Sequence, residues 1–265
     1  SGQYNVAMGY QALTAFTTAF HSVAIGHSAM KDNTQGNYNT AVGNNALREN
    51  TTGGANTALG YAAGFSLNGG NYNVLVGNGA GYSLAGASNN ILIGDEAGTN
   101  INNANANGTV AVGHEALKAL TSGPANTAIG HQAGLAMTTN SSNTIIGYGA
   151  FRAADAGEDN NVVIGLDAGA AINHANADGN VLIGYQAGYG GANSLRHSVA
   201  IGSGALDATA ANALTGIVAI GYDALTAMTS GTENTAVGYQ AGLSLTTGTK
   251  NTFLGYYAGS QAEDD

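Results

Sequence analysis

One phrase recurs fifteen times along this chain: Asn, then Thr or Val, Ala, an aliphatic residue, Gly, two variable residues and Ala. Its glycine falls at Gly9, Gly26, Gly43, Gly60, Gly77, Gly94, Gly113, Gly130, Gly147, Gly165, Gly184, Gly202, Gly221, Gly238 and Gly255, at intervals of 17 to 19 residues. A fixed short period is the signature of stacked repeats, each too small to bury an apolar face alone and therefore packed on its neighbours. The phrase runs from end to end, so residues 1–265 read as a single repeat domain with no linker.

The columns of the repeat carry the next inference. Before the glycine stands a large aliphatic residue, from Met8 and Ile25 through Ile220 and Leu254, and two residues before that stands Val, Thr or Ile. Three residues after the glycine comes Ala in all fifteen copies, Ala12 to Ala258. Four residues before it, eleven of fifteen copies have Asn, with Ser22 and Ser198 among the exceptions. Apolar positions with period two and β-branched residues predict a short strand rather than a helical turn. The β-branched and aliphatic columns are expected to face inward, each residue sitting on its equivalent in the next coil. Stacked at the strand spacing, fifteen coils give a rod on the order of 70 Å long. The expected fold is all-β: a parallel β-solenoid, or β-roll, of about fifteen 17–19-residue coils.

Two columns have more specific readings. Identical Asn amides, one per coil, are able to hydrogen-bond along the axis, and Asn tolerates the left-handed conformation of a tight corner. The glycine implies either positive φ or close approach of another backbone.

Composition excludes several functions. The chain has 6 basic and 16 acidic residues and a formal net charge of −10, so no basic stripe is present to engage a nucleic-acid backbone. No run of 18 apolar residues exists to cross a membrane as a helix. Without cysteine there are no disulfides, thiolate chemistry or Cys-based metal sites. Glycine is frequent, at 42 residues, but 44% hydrophobic content with 8% charge argues against disorder. No nucleophile elbow, zinc helix or pair of carboxylates stands out, and every Gly-rich stretch belongs to the repeat rather than to a phosphate loop. The reading is non-enzymatic, with no cofactor and no metal.

The copies Ser22-Val23-Ala24-Ile25-Gly26 and Ser198-Val199-Ala200-Ile201-Gly202 resemble the SVAIG repeat in the head domains of trimeric autotransporter adhesins. The copies Asn126–Gly134 (NTAIGHQAG) and Asn234–Gly242 (NTAVGYQAG) are similar to repeats of phage tail-fibre and bacterial surface fibre proteins. That resemblance implies a left-handed roll, three chains side by side, and an adhesive or spacer role in an extracellular or virion appendage. The repeat here is longer than the adhesin one, and no heptad stalk or membrane-anchor segment accompanies it. The alternative expectation is a secreted subunit that stacks end to end into a filament, since neither terminus shows an amphipathic cap. A third class, ice binding, uses flat Thr arrays, but Thr40, Thr57, Thr127, Thr144, Thr235 and Thr252 are interrupted by Val and expected to point inward.

Candidate contact residues follow the glycine. Tyr185, Tyr222, Tyr239 and Tyr256, with Tyr10, Tyr61 and Tyr148, form a column that stacks on sugars or simply covers a coil corner. A host-surface glycan or protein is the corresponding partner, beside self-association. His114 and His131 occupy the same column with Glu115 alongside, a pattern read as a surface ladder in preference to a divalent-metal site. Asp95, Glu96 and Glu115 form the densest acidic patch. Extra residues in the 19-residue coils, at Ile101–Ala106, Ile172–Ala177 and near Asp207–Gly216, are expected to bulge from one face. Asn50, Asn107 and Asn140 begin Asn-x-Ser/Thr triplets at a frequency that composition alone explains.

Overall fold

The computed structural model describes residues 2–190, 195–208 and 213–261. They form a parallel β-solenoid of about 14 turns, without helices among the described residues, in two compact units, Ser1–His131 and Gln132–Asp265.

The first unit contains β1 (Val6–Met8), β2 (Val23–Ile25), β3 (Thr40–Val42), β4 (Thr57–Leu59), β5 (Val74–Val76), β6 (Ile91–Ile93), β7 (Val110–Val112) and β8 (Thr127–Ile129). Each pairs in parallel with the next, and equivalent residues meet: Val23 with Thr40, Ala24 with Ala41, Ile25 with Val42. In the second unit β9 (Thr144–Ile146), β10 (Val162–Ile164) and β11 (Val181–Ile183) are followed by β12 (Leu195–Arg196), β13 (Val199–Ile201), β14 (Leu214–Thr215) and β15 (Val218–Ile220). The chain continues through β16 (Gly231–Thr232), β17 (Thr235–Val237) and β18 (Thr252–Leu254). There the three-residue strands pair in the same register, and β12, β14 and β16 form a second small parallel sheet.

Strand alternation follows the period read from the sequence, but its phase is inverted. The middle residue of each inner strand points inward: Ala24, Ala41, Ala58, Leu75 and Leu92 have no exposed surface, nor do Val163, Leu182, Ala200 and Ala219. The flanking Val, Thr and aliphatic residues, expected in the core, lie on the outer face, half-buried or exposed. A narrow coil explains the reversal. The inward strand residue shares a thin cross-section with the Ala that follows the glycine, fully buried from Ala29 to Ala241. The remaining volume is closed by Leu67, Leu84, Ile101, Leu120, Met137 and Ile172 from the far wall. Alanine at the strand centre leaves room for these larger side chains. Where Leu75 and Leu92 occupy the strand centre, Gly64, Gly81 and Gly98 lie against them at the position where other coils carry Leu. Volume is conserved by exchange between columns.

The motif glycine satisfies both of its readings. Gly43, with φ +142°, packs so closely that a Cβ would press into the carbonyl group of Gly60 in the next coil. Gly94 does the same against Gly113. An L side chain there meets backbone strain and a steric clash at once.

The Asn column forms runs of a polar seam inside the coil, interrupted at Ile217. The backbone N–H of Asn56 donates to Asn39 Oδ1 at 2.9 Å, and Asn73 N–H donates to Asn56 Oδ1 at 3.0 Å. Asn73 Nδ2 donates to Asn56 Oδ1 at 3.0 Å and closes its own coil on the carbonyl of Ala87 at 2.9 Å. Asn161 and Asn180 repeat the pattern in the second unit. Ser22 and Ser198 substitute a hydroxyl, accepting from Asn39 N–H and Ile217 N–H. The left-handed residue, however, is the one before the Asn: Tyr38, Ala55, Tyr72 and Asn89 have φ of +56 to +61°. This conformation is held by inter-coil bonds such as Tyr38 N–H to the Phe20 carbonyl and Ala55 N–H to the Asn37 carbonyl.

Candidate functional site

Because the strands present Val, Thr and aliphatic residues outward, each unit carries two parallel apolar columns on one sheet face. The column before the glycine runs Ile25, Val42, Leu59, Val76, Ile93, Val112 and Ile129 in the first unit and Ile146, Ile164, Ile183, Ile201, Ile220 and Val237 in the second. Neither column contains a charged residue. Leu59 is 49% exposed and Ile91 40% exposed. A continuous apolar strip of this kind is typical of surfaces that are covered by another protein surface. The Thr of the motif therefore faces outward, correcting the inward expectation: Thr57 and Thr252 are exposed. It occurs on pairs of successive copies, Thr40 and Thr57, Thr127 and Thr144, Thr235 and Thr252, separated by Val or Ile, and lies beside an all-aliphatic column, so no two-column Thr lattice forms.

The tyrosine column is only partly assembled. Tyr222 and Tyr239 stack with ring centroids 5.2 Å apart and 12° between planes, and Tyr239 and Tyr256 stack at 5.4 Å. Tyr257 meets Tyr256 edge-on at 4.4 Å. The Tyr256 hydroxyl is held above its ordinary pKa, first by local desolvation and then by Tyr257. Tyr185 lies in the same column, but Ser203 occupies the position between it and Tyr222. All four tyrosines are exposed.

His114 and His131 stack at 5.0 Å with 13° between planes, a ladder arrangement. His114 also faces Asp95 Oδ2 at 3.5 Å and Glu115 Oε2 at 3.7 Å. Among the described residues, no three His, Cys, Asp or Glu side chains gather into a group able to hold a metal ion. The acidic patch has a partner that its sequence reading did not include. Lys118 Nζ lies 2.6 Å from both Glu96 Oε2 and Glu115 Oε1, and hydrogen bonds to these two carboxylates raise its pKa above the usual lysine range.

Inside the second unit, Glu158 is fully buried. Asn140 Nδ2 donates to its Oε2 at 2.6 Å, while Oε1 has no hydrogen-bond partner among the described residues. Desolvation is the main reason its pKa is raised above the ordinary carboxylate range.

The longer coils loop outward as expected. Ile101 and Ala106 are buried anchors, with 102–105 exposed between them, and the Ala106 N–H closes the turn on the Asn103 carbonyl. Ile172 and Ala177 anchor the equivalent loop. The third, near Asp207–Gly216, includes residues 209–212, outside the described residues. Of the three Asn-x-Ser/Thr positions, Asn50 and Asn140 are buried and Asn107 is exposed.

A second aromatic column went unread in the sequence. It sits at the left-handed corner before the Asn seam, in the first unit. Tyr4, His21 and Tyr38 stack at 5.0 and 5.3 Å, with Phe20 edge-on to both His21 and Tyr38. Ala55 interrupts the column and Tyr72 resumes it. A cavity of about 210 Å³ opens at the interruption, and one of about 250 Å³ is lined by Gln3, Tyr4, Phe20 and His21. The signal available in the sequence was four aromatic or imidazole rings in five successive copies, five residues before the motif glycine.

No family model matches the chain, and neither a curated protein nor a solved structure matches it. No helix among the described residues is long and apolar enough to cross a membrane.

Proposed function

We propose that this chain is a non-enzymatic structural and adhesive rod of an extracellular or virion appendage, working as a homotrimer in which the outer strand faces of three copies meet. The observation that carries this reading is the uncharged pair of Val/Thr and aliphatic columns that a single chain leaves half-exposed. Covering it contributes about 25 cal/mol for each Å² of apolar surface removed from water. An identical chain offers the complementary surface, because its columns have the same composition and the same axial repeat. Three copies enclose such columns about a common axis, and the adhesin resemblance supports that number and a left-handed coil. The stacked tyrosines and the outward loops remain on the exterior, where a host-surface glycan or protein is contacted. Repeated coils, backbone ladders and the Asn seam supply the stiffness that a spacer needs. The role requires no cofactor, metal or nucleic acid.

The molecular mass in solution tests the assembly. Three copies of the 26.2 kDa chain are expected, whereas long filaments or a monomer overturn the homotrimer. Adhesion is tested on a glycan array: binding that disappears when Tyr222 and Tyr239 are replaced by Ala assigns it to the tyrosine column, and retained binding removes that assignment. Thermal-hysteresis activity in the wild-type protein would instead support the ice-binding class.

A further inference from the structure

The interrupted aromatic column at the left-handed corner forms a slot. Tyr38 and Tyr72 flank Ala55, one coil on either side, and the 210 Å³ cavity is lined by these three residues together with Asn37, Thr52 and Asn71. We propose that this slot is a binding site for one pyranose ring of a neutral sugar, held between the faces of Tyr38 and Tyr72.

The dimensions admit a single ring. Stacked rungs of this column stand 5.0 and 5.3 Å apart, so two rungs with one missing stand about 10 Å apart, twice the inter-coil spacing. A flat ring in the empty rung meets its neighbours as His21 meets Tyr4 and Tyr38, at 5.0 and 5.3 Å between centroids, so a flat aromatic is the competing occupant. The chair of a pyranose is thicker because its carbons lie in two layers, and its C–H faces suit the electron-rich faces of tyrosine. The volume is also below the roughly 300–1,000 Å³ of pockets for drug-sized ligands, which fits a single ring.

Polar groups surround the slot in the way that sugar hydroxyls require. Asn37 Oδ1 accepts the Phe20 N–H at 2.9 Å, which fixes the side chain and leaves the Nδ2 hydrogens without a protein partner among the described residues. The Thr52 hydroxyl likewise makes no hydrogen bond to the described residues. Asn71 is fixed by accepting from Gly54 N–H at 2.8 Å and donating to the Gly69 carbonyl at 3.2 Å. Tyr38 is buttressed on its far side by His21 and edge-on by Phe20, so its ring is oriented before any ligand arrives. No charged side chain lines the slot, which favours a neutral sugar over an acidic one.

This site lies in a different column from Tyr222 and Tyr239 and does not depend on the oligomer. Its test uses methyl pyranosides of glucose, galactose, mannose and N-acetylglucosamine, with p-cresol as the flat-ring probe, read by saturation-transfer NMR on the full chain. At least one pyranoside is expected to bind, and Tyr38→Ala or Tyr72→Ala to weaken it by roughly 2–10-fold. Ala55→Tyr supplies the missing rung and is expected to abolish binding. Its fold is retained, because Ala55 already has φ +56° and the same corner carries Tyr38 and Tyr72 at +59°; circular dichroism checks this. Ala125→Tyr, at the same corner elsewhere, leaves binding unchanged. The proposal is overturned if no pyranoside binds, if p-cresol binds in their place, or if Ala55→Tyr leaves pyranoside binding intact.

Discussion

In the first unit, Ala58 and Leu75 at the strand centres have no exposed surface, while Leu59 and Val74, each one residue away, are 49% and 36% exposed. Both sets are apolar, both repeat on every coil, and both pair in register. The difference lies in what each can accommodate. The inner face is closed by the chain itself, so its columns compensate for one another in volume, with Leu75 facing Gly64 and Gly81. The outer face has no such constraint within one chain and is uniformly β-branched or aliphatic. Uniformity without an internal partner is the feature on which the proposed interface between copies rests.

Substitutions that respect one face and violate the other separate the two roles. The largest effect is expected at the inner glycine contact. Gly94→Ala forces a side chain to φ +139° and into the Gly113 carbonyl, and is expected to destabilise the chain by more than about 3 kcal/mol. Chemical denaturation at constant m-value measures it. Asn73→Ala comes next: it removes the acceptor of Asn90 N–H and the donor to the Ala87 carbonyl, at a cost of about 2–4 kcal/mol. Asn73→Ser recovers part of that loss, since Ser22 and Ser198 accept in the same column.

The outer face behaves differently. Leu59→Lys is expected to leave the single-chain circular dichroism unchanged, with a stability effect in the isolated chain within about 0.5 kcal/mol, and to break the proposed assembly, which sedimentation measures. Loss of folding in the monomer would erase the distinction between the faces.

A smaller effect concerns Glu158, the carboxylate among the inner columns. Its folded pKa is raised, so the native state holds the proton more tightly than the unfolded chain. The associated stability is present below the unfolded value of about 4.3 and is lost as pH rises through the folded value. Glu158→Gln is expected to stabilise the protein by about 1 kcal/mol at pH 7, and the advantage disappears near pH 4. A pH series of denaturation midpoints reads it. At the tyrosine column, Ser203→Tyr joins Tyr185 to Tyr222 and is expected to add about 0.5–1.5 kcal/mol for each of the two stacked pairs, read from the same denaturation midpoints.

The coil period, the strand position, the Asn seam and the glycine contact were legible because each imposes one residue type on one column. The phase of the strand was not, because Ala24 and Ile25 are both apolar and hydrophobicity alone does not show which of two apolar neighbours fits a thin interior. The left-handed corner was hidden for the opposite reason. It accepts Tyr38, Ala55, Asn89 and Glu233 alike, since inter-coil hydrogen bonds impose its φ and its side chain faces outward. The slot at Ala55 consequently appears in the sequence only as a missing tyrosine, and acquires meaning once Tyr38 and Tyr72 are known to flank it. Lys118 was likewise overlooked because Glu96 lies one coil away and 22 residues earlier in the chain.

The central claim is that the outer strand face is an interface between identical chains. Sedimentation equilibrium on the wild-type protein beside Leu59→Lys tests it most directly. The expected result is a mass of three 26.2 kDa chains for the wild type and of a folded single chain for the variant. A wild-type protein that sediments as a folded monomer, or a variant that keeps the full assembly, contradicts it.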